Sequence, residues 1–71
     1  MKLVINGEEA ISKDGINVSE LLIEQDVKMP EMVSVELNGS IVRREAFDAT
    51  NLKEGDKVEF LYFMGGGSVA E

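Results

Sequence analysis

The sequence predicts an α+β fold in which a mixed sheet of four to five strands packs on one helix, in the order β-β-α-β-β-β. Two Asn-Gly dipeptides, at residues 6–7 and 38–39, each separate two short apolar stretches, and Asn-Gly readily adopts the positive φ angles of a hairpin turn. Between them, the segment INVSELLIEQDV spaces its apolar residues with the period of a helix. One amphipathic helix can cover one face of a small sheet, which gives a two-layer domain.

The first hairpin is predicted around Asn6-Gly7, and a turn at residues 13–15 ends it. The helix should begin after Asn17, because asparagine is a preferred N-cap and Glu20 follows at the capping-box position. It should end near Gln25 or Asp26, and Pro30 marks the connection beyond it. The residues expected to face the core from this helix are Val18, Leu21, Leu22 and Gln25.

The second hairpin is predicted over residues 33–42, where apolar and polar residues alternate before the turn at Asn38-Gly39. The polar segment 43–54 should run as a loop that is anchored in the core by Phe47 and Leu52. After a turn at Gly55-Asp56, the strand KVEFLYFM is the most apolar stretch of the chain, so we expect it at the centre of the sheet. This arrangement is the β-grasp fold.

The composition limits the classes of function. The 71 residues include no cysteine and no histidine, which excludes disulfides, a Cys or Cys/His zinc site, a histidine base and a thiol nucleophile. The net charge of −7 argues against nucleic acid and anionic membranes as partners, and it would suit a basic protein, although surplus acid also simply keeps a small protein soluble. Since no targeting segment, membrane span or metal-ligand spacing is visible, we expect a cytoplasmic protein without catalytic residues or a bound metal.

The sequence GGGSVAE follows the last predicted strand, and we assign residues 1–64 to the domain and 65–71 to a flexible C-terminal tail. Glycine has no β-carbon, so Gly65-Gly66-Gly67 can pass through a narrow channel and deliver a carboxylate into the active site of a partner. ATP can activate a carboxylate as an acyl-adenylate, which a sulfur nucleophile can then attack. Three glycines in this position are also typical of a linker, and the tripeptide alone does not decide between the two interpretations.

Two segments, VELNGSIVRREAF and LKEGDKVEFLYFMGGG, resemble the ThiS family of sulfur carriers in thiamine biosynthesis, and INVSELL resembles the opening of that family's helix. The resemblance extends from Lys2 to Gly67. It implies a ubiquitin-like β-grasp fold, related to MoaD, the small subunit of molybdopterin synthase. It also implies that the chain is not an enzyme but a protein co-substrate of other enzymes.

The resemblance further implies that a ThiF-like adenylating enzyme uses ATP and magnesium to activate a C-terminal glycine, which then becomes a thiocarboxylate. A sulfur donor such as a cysteine desulfurase would supply the sulfur, and a ThiG-like thiazole synthase would transfer it to the thiazole ring. The modified residue would be Gly67, alternatively Gly66, and the carrier itself would bind no cofactor. The activating enzyme is expected to dock on Leu61, Phe63 and Met64, although Leu61 or Phe63 could instead pack under the loop at 43–54.

The chain departs from the usual family pattern after Gly67, because Ser68–Glu71 follow and an internal glycine has no free carboxylate. We expect a protease, such as an isopeptidase-like metalloprotease, to remove Ser68–Glu71 first. Carriers with such extensions also serve other pathways, so molybdopterin or a sulfur amino acid could receive the sulfur instead of thiamine. Two further functions remain open, a β-grasp module that binds partners without covalent modification and conjugation to lysines in the manner of ubiquitin.

Overall fold

The computed structural model describes residues 1–62, which form one five-stranded sheet and one α-helix. The strand order is β2-β1-β5-β3-β4, with β5 parallel to β1 and antiparallel to β3. The predicted α+β architecture, the mixed sheet and the central position of the last strand are therefore confirmed. The elements are β1 (Lys2–Ile5), β2 (Glu8–Ile11), α1 (Val18–Glu24), β3 (Val33–Leu37), β4 (Ser40–Val42) and β5 (Lys57–Tyr62), with 3₁₀ helices at Pro30–Met32 and Arg44–Ala49.

Both Asn-Gly dipeptides form hairpin turns, as predicted. Asn6 and Gly7 have φ angles of 52° and 86°, and Asn38 and Gly39 have φ angles of 52° and 89°. Positive φ at both central residues is the type I′ geometry, whose twist matches that of the two strands it joins. These turns fix the register of β1 against β2 and of β3 against β4.

Helix α1 begins with the predicted capping box. The Asn17 side chain accepts a hydrogen bond from the Glu20 backbone N–H at 2.8 Å, and the Glu20 carboxylate accepts one from the Asn17 N–H at 3.0 Å. The expectation that Gln25 faces the core was wrong. Gln25 is the exposed C-cap of the helix, and the half-buried Val27, in the loop beyond it, packs on the core instead.

The hydrophobic core lies between α1 and one face of the sheet. Phe47 and Leu52 are buried and anchor the 43–54 segment, as predicted, although part of this segment is a 3₁₀ helix. No helix within residues 1–62 combines the length and the apolar character that crossing a membrane requires. The buried apolar residues are Leu3, Ile5, Ile16, Val18, Leu21, Leu22, Val33, Val35, Phe47, Leu52 and Val58.

Candidate functional site

The end of β5 is the part of the predicted site that the structure describes. The docking candidates Phe63 and Met64 and the activation residues Gly65, Gly66 and Gly67 lie outside the described residues. β1 pairs with β5 as far as Val58, whereas β3 pairs with it as far as Tyr62. β5 therefore extends beyond the end of β1 and is paired with β3 alone over its last residues.

The turn of the first hairpin supports β5 where β1 ends. The Asn6 N–H donates to the Val58 carbonyl at 2.9 Å, and the Asn6 side-chain Oδ1 accepts from the Phe60 N–H at 2.9 Å. The side chain of Asn6 thus takes the place of the next carbonyl of a strand. It satisfies a backbone donor of β5 that β1 is too short to reach.

The last described residue is linked to the loop that follows α1. The Tyr62 hydroxyl donates to the Lys28 carbonyl at 2.8 Å. Tyr62 lies opposite Val33 in the β3–β5 register, on the face of the sheet that packs against α1. The direction of β5 at its end is therefore set by β3 and by this side-chain contact.

The start of β5 is held by a hydrogen-bonded pair that we call the Asn38–Asp56 clamp. Asp56 is only 6% exposed, and its carboxylate accepts from the Lys53 N–H at 2.8 Å and from Asn38 Nδ2 at 3.1 Å. Asn38 Oδ1 in turn accepts from the Lys57 N–H at 2.9 Å. The sequence reading assigned Asn38 and Asp56 to turns and missed this pairing, because the two residues are 18 positions apart.

Leu61 lies on the side of the sheet away from α1, which we call the outer face. It pairs with Ser34, whose neighbours Val33 and Val35 point into the core, so Ser34 and Leu61 point the other way. Leu61 thus lies on the opposite side of the sheet from the core into which the 43–54 loop inserts its anchors. Other side chains of the outer face are Lys2, Val4, Glu9, Ile11, Glu36, Ile41, Lys57 and Glu59.

The outer face combines apolar and charged side chains. Val4 on β1 and Leu61 on β5 are half-buried, and Ile41 on the edge strand β4 is 58% exposed. Glu36 and Glu59 lie directly opposite each other on β3 and β5, an arrangement that like charges disfavour. The outer face therefore presents both apolar and charged side chains at the surface of the sheet.

One ion pair lies at the surface where the 43–54 segment begins. Arg43 pairs with the exposed Glu45 at 3.1 Å, and the pKa of the Glu45 carboxyl is lowered by a hydrogen bond from its own backbone amide and then by the Arg43 guanidinium. Within residues 1–62 no three acidic side chains converge as a metal site would require.

Comparisons with known proteins agree with this fold. The ThiS family model matches residues 2–67. The crystal structure of the thiamine biosynthesis protein (ThiS) from Geobacter metallireducens is 54% identical, with a TM-score of 0.89, and the match covers 94% of this chain and 100% of that chain. An NMR solution structure of a thiamine biosynthesis protein from the same organism is 51% identical, with a TM-score of 0.76, over 100% of this chain and 94% of that one.

Two curated relatives are longer proteins. The thiazole synthases of Paramagnetospirillum magneticum and Magnetococcus marinus are 43% and 37% identical to this chain over 96% and 94% of its length. The chain spans about a fifth of the length of each, 21% and 20% respectively. The family model matches residues 2–67, and the structure agrees with that of ThiS. This chain therefore belongs to the ThiS family.

Proposed function

We propose that this chain is a sulfur carrier whose Gly67 carboxylate is adenylated, converted to a thiocarboxylate and used as the sulfur source for the thiazole ring of thiamine. One observation carries the proposal: three glycines, Gly65–Gly67, follow almost directly after the central strand of a ThiS-family domain. In this proposal the carrier supplies the carboxylate, and the partner enzymes supply the catalytic groups.

The chemistry requires a free carboxylate at Gly67, so the peptide bond between Gly67 and Ser68 must first be hydrolysed. An isopeptidase-like metalloprotease is the proposed agent of this cleavage. A carboxylate oxygen of Gly67 then attacks the α-phosphorus of magnesium-bound ATP in a ThiF-like enzyme, and pyrophosphate leaves. A thiol reductant releases hydrosulfide from the persulfide of a donor such as a cysteine desulfurase. The hydrosulfide attacks the acyl carbon of the adenylate, the bond from this carbon to the phosphate oxygen breaks, and AMP leaves the thiocarboxylate behind.

The length of chain after β5 limits where the partner can dock. Gly67 lies five residues beyond Tyr62, and a fully extended chain spans at most about 3.6 Å per residue, so the two are no more than about 18 Å apart. An enzyme that holds Gly67 in its active site must therefore contact the domain near the end of β5. We propose that the outer face around Leu61, together with Phe63 and Met64, provides this contact.

The proposed sulfur acceptor is a thiazole synthase. Two longer relatives that bear this name contain a segment that is 43% and 37% identical to this chain. The presence of a carrier-like segment within the sequence of a thiazole synthase supports the proposal that the carrier and the thiazole synthase act together. We therefore assign a ThiG-like thiazole synthase as the partner that receives sulfur from this chain.

The experiment compares three forms of the chain, namely the full sequence, a form that ends at Gly67 and a form that ends at Gly65. Each is incubated with the purified ThiF-like enzyme of the same host and magnesium ATP, and pyrophosphate release is measured. We expect release with the form that ends at Gly67 alone. Adenylation of the full sequence would refute the need for cleavage, and no adenylation of the Gly67 form would refute the carrier function.

The second stage adds a cysteine desulfurase, cysteine and a thiol reductant and measures the intact mass. Exchange of one oxygen for sulfur at the C-terminus is expected, followed by transfer of that sulfur to thiazole when the thiazole synthase is present. Transfer to molybdopterin or to an amino acid instead would refute the assigned pathway. Isopeptide-linked adducts on lysines would indicate conjugation in place of sulfur transfer.

The docking assignment has its own matched pair of variants. Leu61→Ser changes a half-buried side chain near the end of β5, and Ile11→Ser changes an exposed one on the edge strand β2. We expect the first to raise the KM of adenylation and the second to leave it unchanged. Equal effects of the two variants would contradict docking at the end of β5.

A further inference from the structure

A groove lies on the side of the molecule opposite the outer face, between α1 and the two 3₁₀ helices. Its volume is about 630 Å³, and its apolar lining includes Leu22, Val27, Pro30 and Phe47. Ile23 stands on its rim and is 80% exposed, the largest exposed fraction of any large apolar side chain within residues 1–62. We call this feature the helix-side groove.

The floor of the helix-side groove is fixed by Arg44. Its guanidinium donates to the Pro30 carbonyl at 3.0 Å and to the Val33 carbonyl at 2.7 Å, and it lies 5.2 Å from the centre of the Phe47 ring. These contacts hold both 3₁₀ helices in place, so the groove exists before any partner arrives. Two of the guanidinium donors are engaged in this way, whereas Arg44 as a residue is exposed and contributes one positive charge to the groove lining.

The rim of the groove is acidic. Asp26, Glu31 and Asp48 line it. Asp26 has an exposed ion pair with Lys28 at 3.1 Å, whereas within residues 1–62 neither Glu31 nor Asp48 forms one. Two more carboxylates, Glu20 and Glu24, flank Ile23 along α1. An apolar groove with this rim is complementary to a segment that combines large apolar side chains with lysine or arginine.

We propose that the helix-side groove docks a basic amphipathic segment of a protein partner, whose apolar side chains enter the groove and cover Ile23 while its cations face the acidic rim. The net charge of −7 disfavours a second copy of this chain as the occupant. Because the groove and the outer face are on opposite sides of the sheet, the chain can be held through the groove while another protein works on the residues after β5. This inference goes beyond the proposed function and does not depend on it.

The groove is connected to the end of β5 through the loop after α1. Asp26, Val27, Pro30 and Glu31 of this loop line the groove, and the Lys28 carbonyl between them accepts the hydrogen bond from Tyr62. A segment bound in the groove therefore contacts the same loop that positions the last described residue of β5. Amide signals near Tyr62 should therefore respond to binding, although Tyr62 does not line the groove.

The test is a titration of the full-length, ¹⁵N-labelled chain with a synthetic amphipathic peptide of leucine and lysine at helical spacing, followed by amide chemical shifts. The control peptide replaces every lysine with glutamate. We expect shifts at the groove residues with the lysine peptide, none with the glutamate peptide, and smaller shifts at Tyr62. Shifts centred on the outer face, equal binding of the two peptides, or no saturable binding of the lysine peptide would overturn the proposal.

Matched variants test which residues contribute to binding of the lysine peptide. Ile23→Ser should weaken binding of the lysine peptide about tenfold, because a large aliphatic side chain is buried on docking, whereas the control Ile41→Ser on the outer face should leave it unchanged. Glu31→Lys should weaken it about threefold, and less at high salt. If Ile23→Ser and Ile41→Ser bind the peptide equally, the groove is not the site. Adenylation of the Ile23→Ser variant is measured as well, in the form that ends at Gly67. If this variant is adenylated normally, its effect on peptide binding is independent of the carrier function.

Discussion

The Asn38–Asp56 clamp predicts a large difference between two chemically identical substitutions in the two hairpin turns. Asn38→Asp keeps a residue that tolerates the left-handed turn, but it replaces the Nδ2 donor with a carboxylate oxygen that faces Asp56 across 3.1 Å. Asn6→Asp keeps its acceptor for the Phe60 N–H, because a carboxylate oxygen accepts this bond as well as an amide oxygen does. The first substitution should be strongly destabilising and the second nearly neutral.

The magnitude follows from the distance. Two unit charges 3.1 Å apart repel by about 5 kcal/mol at an effective dielectric constant of 20. The pair can escape this repulsion by binding one proton, which at pH 7 costs about 4 kcal/mol for a carboxyl with an ordinary pKa of about 3.9. The loss of unfolding free energy should therefore be about 4 kcal/mol at pH 7 and should shrink as the pH is lowered. Against a total of roughly 4–10 kcal/mol for a chain of this length, such a loss is severe.

Urea denaturation followed by circular dichroism measures the effect, with an unchanged m-value as the sign that the folded and unfolded states are otherwise comparable. We expect Asn6→Asp to change the unfolding free energy by less than about 0.5 kcal/mol. The double variant Asn38→Asp/Asp56→Asn exchanges donor and acceptor, so every backbone N–H of the clamp again finds an acceptor, and most of the stability should return. If Asn38→Asp is as mild as Asn6→Asp, or the double variant shows no recovery, the clamp does not hold β5.

Three other measurements test the core, the helix and the surface. Leu21→Ala removes a fully buried side chain and should cost about 2–5 kcal/mol in the same denaturation experiment; a loss below 1 kcal/mol would contradict its place in the core. Asn17→Ala breaks the capping box and should cost about 1 kcal/mol, and no loss would mean that the cap is not formed in solution. Because the pKa of the Glu45 carboxyl is lowered in the folded state, its ionised form stabilises the fold at pH values above 4.5, the ordinary pKa. This contribution is lost as the pH falls through the lowered pKa. An NMR titration should therefore place its midpoint below 4.5, and Arg43→Gln should move the midpoint upward; a midpoint that Arg43→Gln leaves in place would exclude the ion pair.

Features that depend on neighbouring residues could be predicted from the sequence. The Asn-Gly turns, the capping box at Asn17 and the alternation along β3 each occupy a few consecutive positions, and each has a local physical cause. Features that depend on distant contacts could not. Ile16 is buried because the backbone around it pairs with the segment before β5, where the Leu52 N–H donates to the Ile16 carbonyl at 2.9 Å. No periodicity in the sequence reports such a contact.

The candidate site shows the same difference between features set by neighbouring residues and features set by distant contacts. The run Gly65–Gly67 is visible in the sequence because glycine has an unusual conformational freedom, and its position after the last strand makes it a candidate for modification. The groups that position β5 are not visible in this way. Asn6 bonds to a residue 54 positions away, and Tyr62 to one 34 positions away. The sequence assigned both residues only to local elements, a turn and a strand, and these assignments are correct but incomplete.

The two asparagines explain how β5 can be the centre of the sheet and also lead to the predicted activation residues. A central strand usually has a partner along both edges, but β1 ends at Ile5, so the second half of β5 would have an unsatisfied edge. Asn6 supplies the missing acceptor from the turn itself, and Asn38 fixes the other end of β5 through Asp56. The position and direction of β5 are thus set within residues 1–62 before any partner binds. The surface near Leu61 is therefore preformed. A partner that docks there does not have to supply the free energy of ordering β5.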